Sequence, residues 1–286
     1  MDRPGASALS IFKEHPVRDS IVTFGALTRS GFRRWSTYRQ ATAAGAFTNV
    51  VFGFLRCYVL LAVAGAMAGG RPGGYDASQL ATYVWVGQGL LAVVWLGAWT
   101  DLSDRIRTGD VAADLLRPIP PVTSYLAADL GRAGHALLTR FGPPVLVGMI
   151  FFPLYAPGRW YTVPLFAVSV GLAVVACFAC RFLTNAAAYW LHDSRGPVLL
   201  FVLLGAIASG LYFPLRLLPD WLALVLYLGT PFPAMLQAPL DVLVERDPPA
   251  LQGALVVLQA AWAGVLLTVC AVTQRRAERK LVVQGG

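Results

Sequence analysis

Charge is scarce in this sequence: of 286 residues, 13% are Asp, Glu, Lys or Arg and 57% are hydrophobic. That is roughly half the charged fraction of an average soluble domain, too little to cover a water-facing surface. Lysine is almost missing, two residues against 21 arginines, an imbalance that points to a GC-rich bacterial genome rather than to a ligand. The two, Lys13 after Phe12 and Lys280 after Arg279, cannot complete a phosphate-binding loop, which needs Lys after Gly. Histidine is equally sparse. His15, His135 and His192 lie far apart, and neither H-E-x-x-H nor G-x-S-x-G occurs, which excludes the common zinc and serine hydrolase signatures. His192-Asp193 reads as a turn rather than an acid–base pair. The four cysteines, Cys57, Cys177, Cys180 and Cys270, all sit in apolar stretches and imply no disulfide framework. Cys177-x-x-Cys180 lacks the further ligands a zinc site needs. An apolar leader core is also missing, because Glu14, His15, Pro16, Arg18 and Asp19 fall where one would be required, so no cleavable signal is expected.

What fills the chain instead is apolar sequence. The mean hydropathy is +0.61, and apolar runs near twenty residues long make lipid the expected solvent. The expected fold is an all-α membrane protein with six transmembrane helices, at about Ala43–Ala68, Leu80–Trp99, Ala136–Tyr155, Val163–Tyr189, Val198–Pro214 and Leu251–Val272. Gly142-Pro143-Pro144 should kink the third, and Arg140 should snorkel toward the interface. With the N-terminus inside, the cytoplasmic side holds eighteen of the 23 Lys and Arg, the outer side four, and the first span only Arg56. The basic excess is thus a sidedness signal, with both termini cytoplasmic, and it gives no reason to expect nucleic acid. Trp99, Trp160, Trp190 and Trp221 lie near predicted span ends, as an aromatic belt requires.

Flanking segments follow the same logic. Residues 1–41 form a cytoplasmic segment whose Arg29–Gln40 stretch puts Phe32, Trp35 and Tyr38 at near-helical spacing among arginines, an interfacial helix on membrane lipid. Residues 42–273 form the transmembrane domain and 274–286 a basic cytoplasmic tail. Before the last span, Leu222–Gly229 and Phe232–Leu240 are too short to cross and are interrupted by Thr230-Pro231-Phe232-Pro233. They read as short re-entrant helices on the outer side.

The most informative polar stretch is Thr100–Pro121, between the second and third spans. Thr108-Gly109 breaks the preceding turn, and Asp110 stands where a carboxylate caps a helix N-terminus. Val111, Ala112, Leu115 and Leu116 then share an apolar face, Arg117 opposes the C-terminal dipole and Pro118 stops the helix. Two turns cannot be stable alone, so this element expects a partner groove. Within the membrane, Arg56 lies midway along the first span, where a charge is costly and faces a polar interior. It reads as a receiver for a substrate carboxylate or phosphate, as part of a gating pair, or as an interhelical tie. Asn49 and Gln88 are polar groups at similar depth and join Arg56 as candidates for a translocation path. Thr48, Asn185 and Gln259 read as packing ties, and Gly87 and Gly89 as sites of close helix approach.

The stretch Arg107-Thr108-Gly109-Asp110-Val111-Ala112-Ala113-Asp114-Leu115-Leu116-Arg117-Pro118 resembles the cytoplasmic signature of ATP-binding cassette (ABC) permeases of the type 2 exporter class. Phe213-Pro214, Leu218-Pro219-Asp220-Trp221 and Thr230-Pro231-Phe232-Pro233 resemble the outer region of that class, and Val282-Val283-Gln284-Gly285-Gly286 the ending of one bacterial subgroup. The resemblance covers about residues 30 to 286. It implies a permease subunit of the bacterial inner membrane that carries no cofactor of its own and does no nucleotide chemistry. It also implies two copies of an ATPase subunit that bind ATP and Mg, and a second permease chain, identical or homologous. Asp110–Leu116, flanked by Arg107 and Arg117, would be the coupling helix, with Arg107, Asp110, Val111, Asp114, Leu115, Leu116 and Arg117 as its ATPase-coupling residues. The alternatives are an ion-coupled transporter or channel, against which no acidic residue falls within a confident span, and a non-transporting scaffold.

Overall fold

The computed structural model describes residues 16–37, 39–67, 71–116, 119–191 and 193–284. Lys13, His15, Tyr38, Arg117, Pro118, His192, Gly285 and Gly286, all used in the sequence reading, lie outside the described residues. Among those described, every regular element is helical and no strand occurs.

The chain begins with α1 (Pro16–Ser36) and α2 (Arg39–Ala66). Helix α3 (Ala77–Leu90) starts on a capping box, in which Asp76 accepts from the Gln79 N–H at 2.8 Å and Gln79 accepts from the Asp76 N–H at 2.9 Å. It widens into a π turn over Leu91–Trp95. Two short helices follow, α4 (Asp101–Thr108) and α5 (Val111–Leu115). Helices α6 (Pro121–Ala136) and α7 (Gly142–Phe151) are joined without a break by a second π turn, Leu137–Phe141. Then come α8 (Thr162–Ala186), α9 (Ala188–Leu191), α10 (Arg195–Ala208), α11 (Asp220–Gly229), α12 (Gln237–Leu243) and α13 (Pro249–Gln284).

Among the described residues, four stretches are long and apolar enough to cross a membrane: Gln40–Ala66, Ala77–Trp95, Thr162–Leu191 and Pro249–Lys280. They match the first, second, fourth and sixth expected spans. The third expected span differs. It is part of a continuous helix from 121 to 151 that carries Asp129, Arg132 and Arg140. The expected proline kink takes the form of the π turn just ahead of Pro143 and Pro144, which cannot donate to the carbonyls four residues back. The fifth is the 14-residue apolar α10. The second span stops being helical after Trp95 instead of running to Trp99, because Trp95 takes a left-handed φ of 56° and turns the chain away.

The core is built around α3 and α8. Leu80, Tyr83, Leu90, Phe178, Phe182, Met235 and Leu240 are buried within one cluster joining α3, α8 and α12. Apolar side chains also face outward, among them Phe47, Leu55 and Val59 on α2 and Leu199, Leu203 and Ile207 on α10, as on a bundle whose solvent is lipid.

Helix α1 begins well before the expected interfacial helix and does more than lie on lipid, since it packs along α6. Its aromatic residues point into protein: the Phe32 ring meets His135 edge-on at 5.4 Å, and Trp35 meets Trp95 at 4.8 Å. The crossing needs two glycines. A Cβ on Gly131 would collide with the Thr28 carbonyl oxygen, and one on Gly31 with the carbonyl of Ala128.

On the opposite side of the bundle, α11 and α12 surround a buried carboxylate. Asp241 accepts from the Tyr75 hydroxyl, from Tyr227 at 3.0 Å and from the Gln237 amide at 2.9 Å, and faces Arg216 at 3.5 Å. In the following loop, Glu245 adopts φ 50° and reaches across to the start of α8. There it accepts from the Arg159 N–H at 2.8 Å, the Gly158 N–H at 3.1 Å and the Thr162 hydroxyl at 2.5 Å. Burial raises the Glu245 pKa, but these donors outweigh it and hold the carboxyl below the ordinary glutamate value. Its stabilisation is therefore present above the unfolded-state pKa and is lost as pH falls through the lower folded value.

Two outcomes are expected. Gly131→Ala should loosen α1 from α6 and cost about 1–3 kcal/mol, measured as a lowered Tm of the purified chain with increased protease cleavage of α1. The Tm of the wild type should fall more steeply between about pH 5 and pH 3 than that of Glu245→Gln, which lacks this titrating tie.

Candidate functional site

Two neighbouring cavities open on the side of the bundle where α1 crosses α6. One, of about 430 Å³, is bounded by α1, α2, both π turns, α6 and α10, with Asn49, Trp95, His135, Arg140 and Tyr212 in its wall. The second, of about 470 Å³, shares Trp35, Ala41, Trp95 and Arg132 with the first and extends to Asp101, Asp129 and Arg181.

A buried ion cluster fixes the wall between them. Asp129 accepts from Arg132 Nε at 2.6 Å, one helical turn away on α6, and from Arg181 of α8 at 2.7 Å. All three side chains are less than a tenth exposed. Arg132 also donates to the carbonyls of Ala92 and Val93, at 2.7 and 2.9 Å. Those carbonyls lie in the π turn that ends α3, where the widened helix leaves backbone oxygens for other donors. The Arg132 guanidinium lies 4.9 Å over the Trp95 ring, and Cys177 donates its thiol to the Trp95 carbonyl at 3.3 Å. Two cations around one carboxylate would be unfavourable by themselves; carbonyls and an indole face complete the compensation.

This cluster corrects the sequence reading. Asp129 and Arg132 count there as loop charges and Arg181 as a cytoplasmic end, and no acidic residue is placed within a span. In the structure Asp129 is buried inside the continuous helix. The spacing of Asp129 and Arg132 signals an ion pair, but its link to Arg181 and to the π turn depends on tertiary packing that no local pattern encodes.

The short polar segment lies beside the second cavity. Helix α4 is anchored through Asn185 of α8, whose side chain accepts from the Ser103 N–H at 3.1 Å and donates to the Trp99 carbonyl at 2.6 Å. It ends at Gly109, left-handed with φ 84°. Helix α5 is a single turn rather than two. Asp110 does not cap it: its carboxylate accepts from the Thr108 hydroxyl at 2.8 Å, and its backbone is itself helical. Asp114 is the buried member, accepting from Arg105 Nε at 2.7 Å and from the Tyr125 hydroxyl at 3.0 Å, so it ties α5 to both α4 and α6. The hydrogen bond to Asp114 raises the Arg105 pKa above its ordinary value. Arg107 is exposed and pairs with Asp104 at 3.6 Å. The expected single apolar face divides: Val111 is buried, Leu115 half-buried, Ala112 exposed, and Leu116 stands 88% exposed.

The three membrane candidates separate as well. Asn49 lines the first cavity and donates to the Gln88 carbonyl at 3.0 Å. Gln88 is buried inside α3, away from either cavity's wall. The Arg56 guanidinium is buried with no hydrogen-bond partner on any of its three nitrogens, near Tyr83 and Tyr212. Arg140 and His135, both in the first cavity, escaped the sequence reading because Arg140 sits one turn before a proline pair and reads as a snorkelling side chain.

Long apolar helices around charged interior cavities define a multi-pass membrane protein. A family profile described as ABC-2 family transporter protein matches residues 48–285, and the chain belongs to that family of ABC transporter permeases. No curated protein is found to match the chain.

Replacing Asp129 by Asn should leave two buried guanidinium groups without a counter-charge and destabilise the chain by about 3–5 kcal/mol. Thermal unfolding in detergent measures this, and Arg181→Met in the Asp129→Asn background should recover part of the loss.

Proposed function

We propose that this chain is the transmembrane subunit of an ATP-driven exporter, and that α5 receives mechanical work from a separate ATPase. The observation that carries the reading is the build of α5. A five-residue helix has almost no stability of its own, yet Asp114 locks it to α4 and α6 while Leu116 projects from its end. Arg107, Asp110, Val111, Asp114, Leu115, Leu116 and Arg117 form the coupling segment; Val111 and Asp114 hold it and Leu116 contacts the ATPase. A push on α5 reaches α6 through Tyr125, and from α6 the Asp129 cluster leads to α8 and to the π turn of α3.

In this reading the chain crosses the inner membrane of a bacterium six times, with 121–151 as the third crossing and α10 as the fifth, and both termini are cytoplasmic. Helices α11 and α12 form the outer re-entrant region. Two ATPase copies bind ATP and Mg, and a second permease, identical or homologous, completes the assembly. Arg56 and Asn49 face the translocation path. The chain itself holds no cofactor and hydrolyses no nucleotide. An ion-driven mechanism needs a membrane carboxylate free to titrate, and Asp129 is held between two arginines, which favours the ATP-driven reading.

Leu116→Asp should reduce co-purification with the coexpressed ATPase at least tenfold while Tm and membrane insertion stay unchanged, because the side chain is exposed in the free subunit. Retained, substrate-stimulated ATP turnover in that variant would overturn the coupling assignment.

A further inference from the structure

The first cavity carries an unbalanced charge. Among its described lining residues Arg132, Arg140 and His135 are basic, none is acidic, and the rest of the wall is largely apolar or aromatic. Arg132 is fully engaged by Asp129 and the π-turn carbonyls. Arg140 is not: its Nε is buried with no hydrogen-bond partner, and its guanidinium lies against α2 at Gly45, where a Cβ would collide with it. A half-buried cation whose Nε lacks a partner thus lines the cavity, on a surface that only glycine leaves open.

A second such cation lies further along α2. Arg56 has all three guanidinium nitrogens buried without a partner, and nearby Tyr212 also lines the cavity. Gly45 and Arg56 are eleven residues apart on one helix, hence about 16 Å at 1.5 Å per residue. Asn49 lies between them and lines the same cavity. Leaving the buried Arg56 guanidinium and the Nε of half-buried Arg140 unpaired is costly in a low-dielectric interior unless an anion visits them.

We propose that this cavity binds an amphiphile with one anionic head, a carboxylate or phosphate, received by Arg140 and handed to Arg56, with the apolar body held among Trp35, Trp95, Val202 and Leu211. This rests on the transport reading for its purpose but not for its test. The apolar lining disfavours a small hydrophilic anion, and the absence of lining carboxylates disfavours a cationic drug.

The test is equilibrium binding to the purified full chain without ATPase, so that a failure of coupling leaves it untouched. Laurate, dodecanol and dodecyltrimethylammonium, each below its micelle-forming concentration, are titrated into protein in phosphatidylcholine nanodiscs, with tryptophan fluorescence as readout. Laurate should bind at least tenfold tighter than either analogue. In Arg140→Gln that preference should fall below threefold, with the ligand-free Tm unchanged or raised because an unpaired buried charge is gone. Gly45→Ala, which displaces Arg140 while keeping it, should weaken laurate in the same direction. Equal binding of laurate and dodecanol, or a preference that survives in both Arg140→Gln and Arg56→Gln, would overturn the proposal. Repetition in phosphatidylglycerol nanodiscs separates the sources: competition identifies a lipid headgroup as the anion, and undiminished binding identifies a soluble amphiphile, each sustaining the site.

Discussion

The Asp129 carboxylate, shared by Arg132 and Arg181, is the constraint on which the packing of α6, α8 and the end of α3 depends. Removing ions from water is costly, and the expense is met only when each remaining donor and acceptor finds a partner in place. Here the partners come from three elements: two side chains of α6, one of α8, and two carbonyls and the Trp95 ring of the α3 π turn. The cluster therefore specifies how these elements meet more sharply than apolar contact does, because apolar surfaces tolerate sliding and a bidentate guanidinium does not. It also accounts for the left-handed Trp95: the residue carries its strain because its carbonyl takes the Cys177 thiol and its ring lies under Arg132.

Around that fixed point, the elements at the cavity mouths are held by lighter means. Helix α1 meets α6 through glycines and an edge-on aromatic contact, and α5 depends on one buried carboxylate. Such unequal anchoring lets rigid parts carry displacement while weakly held parts absorb it. Both buried carboxylates on this side, Asp114 and Asp129, bond to residues of α6, and that helix is the shared path between α5 and the buried ion cluster.

The amino-acid pattern made some of this legible and hid the rest for physical reasons. Four spans show in the sequence because a run of about twenty apolar residues admits few other meanings. The turn at Gly109 shows because only glycine takes a left-handed φ without strain. Asp110 misleads, because an Asp after Gly has the chemistry of a cap but here bonds to Thr108 beside it. The π turns are invisible: the sequence Leu91–Trp95 is ordinary helix former, and its register shift arises from an arginine 39 residues away along the chain. Asp129 and Arg132 read as loop charges because hydropathy treats every charge as a vote for water, whereas burial in compensating groups reverses that vote.

Two kinds of arginine therefore share one interior, and the difference between them separates scaffold from site. Arg132 and Arg181 sit against a carboxylate, so replacing the whole cluster by apolar residues of equal volume would be close to neutral in energy, and its value lies in geometry. Arg56, buried, and Arg140, half-buried, have no such counter-charge, and folding alone gives no reason to place them there. A chain with only 23 Lys and Arg has placed these two where their charge is expensive. An incoming anion gains most in such a place, because the desolvation of the cation has already been met in folding and water no longer screens the attraction.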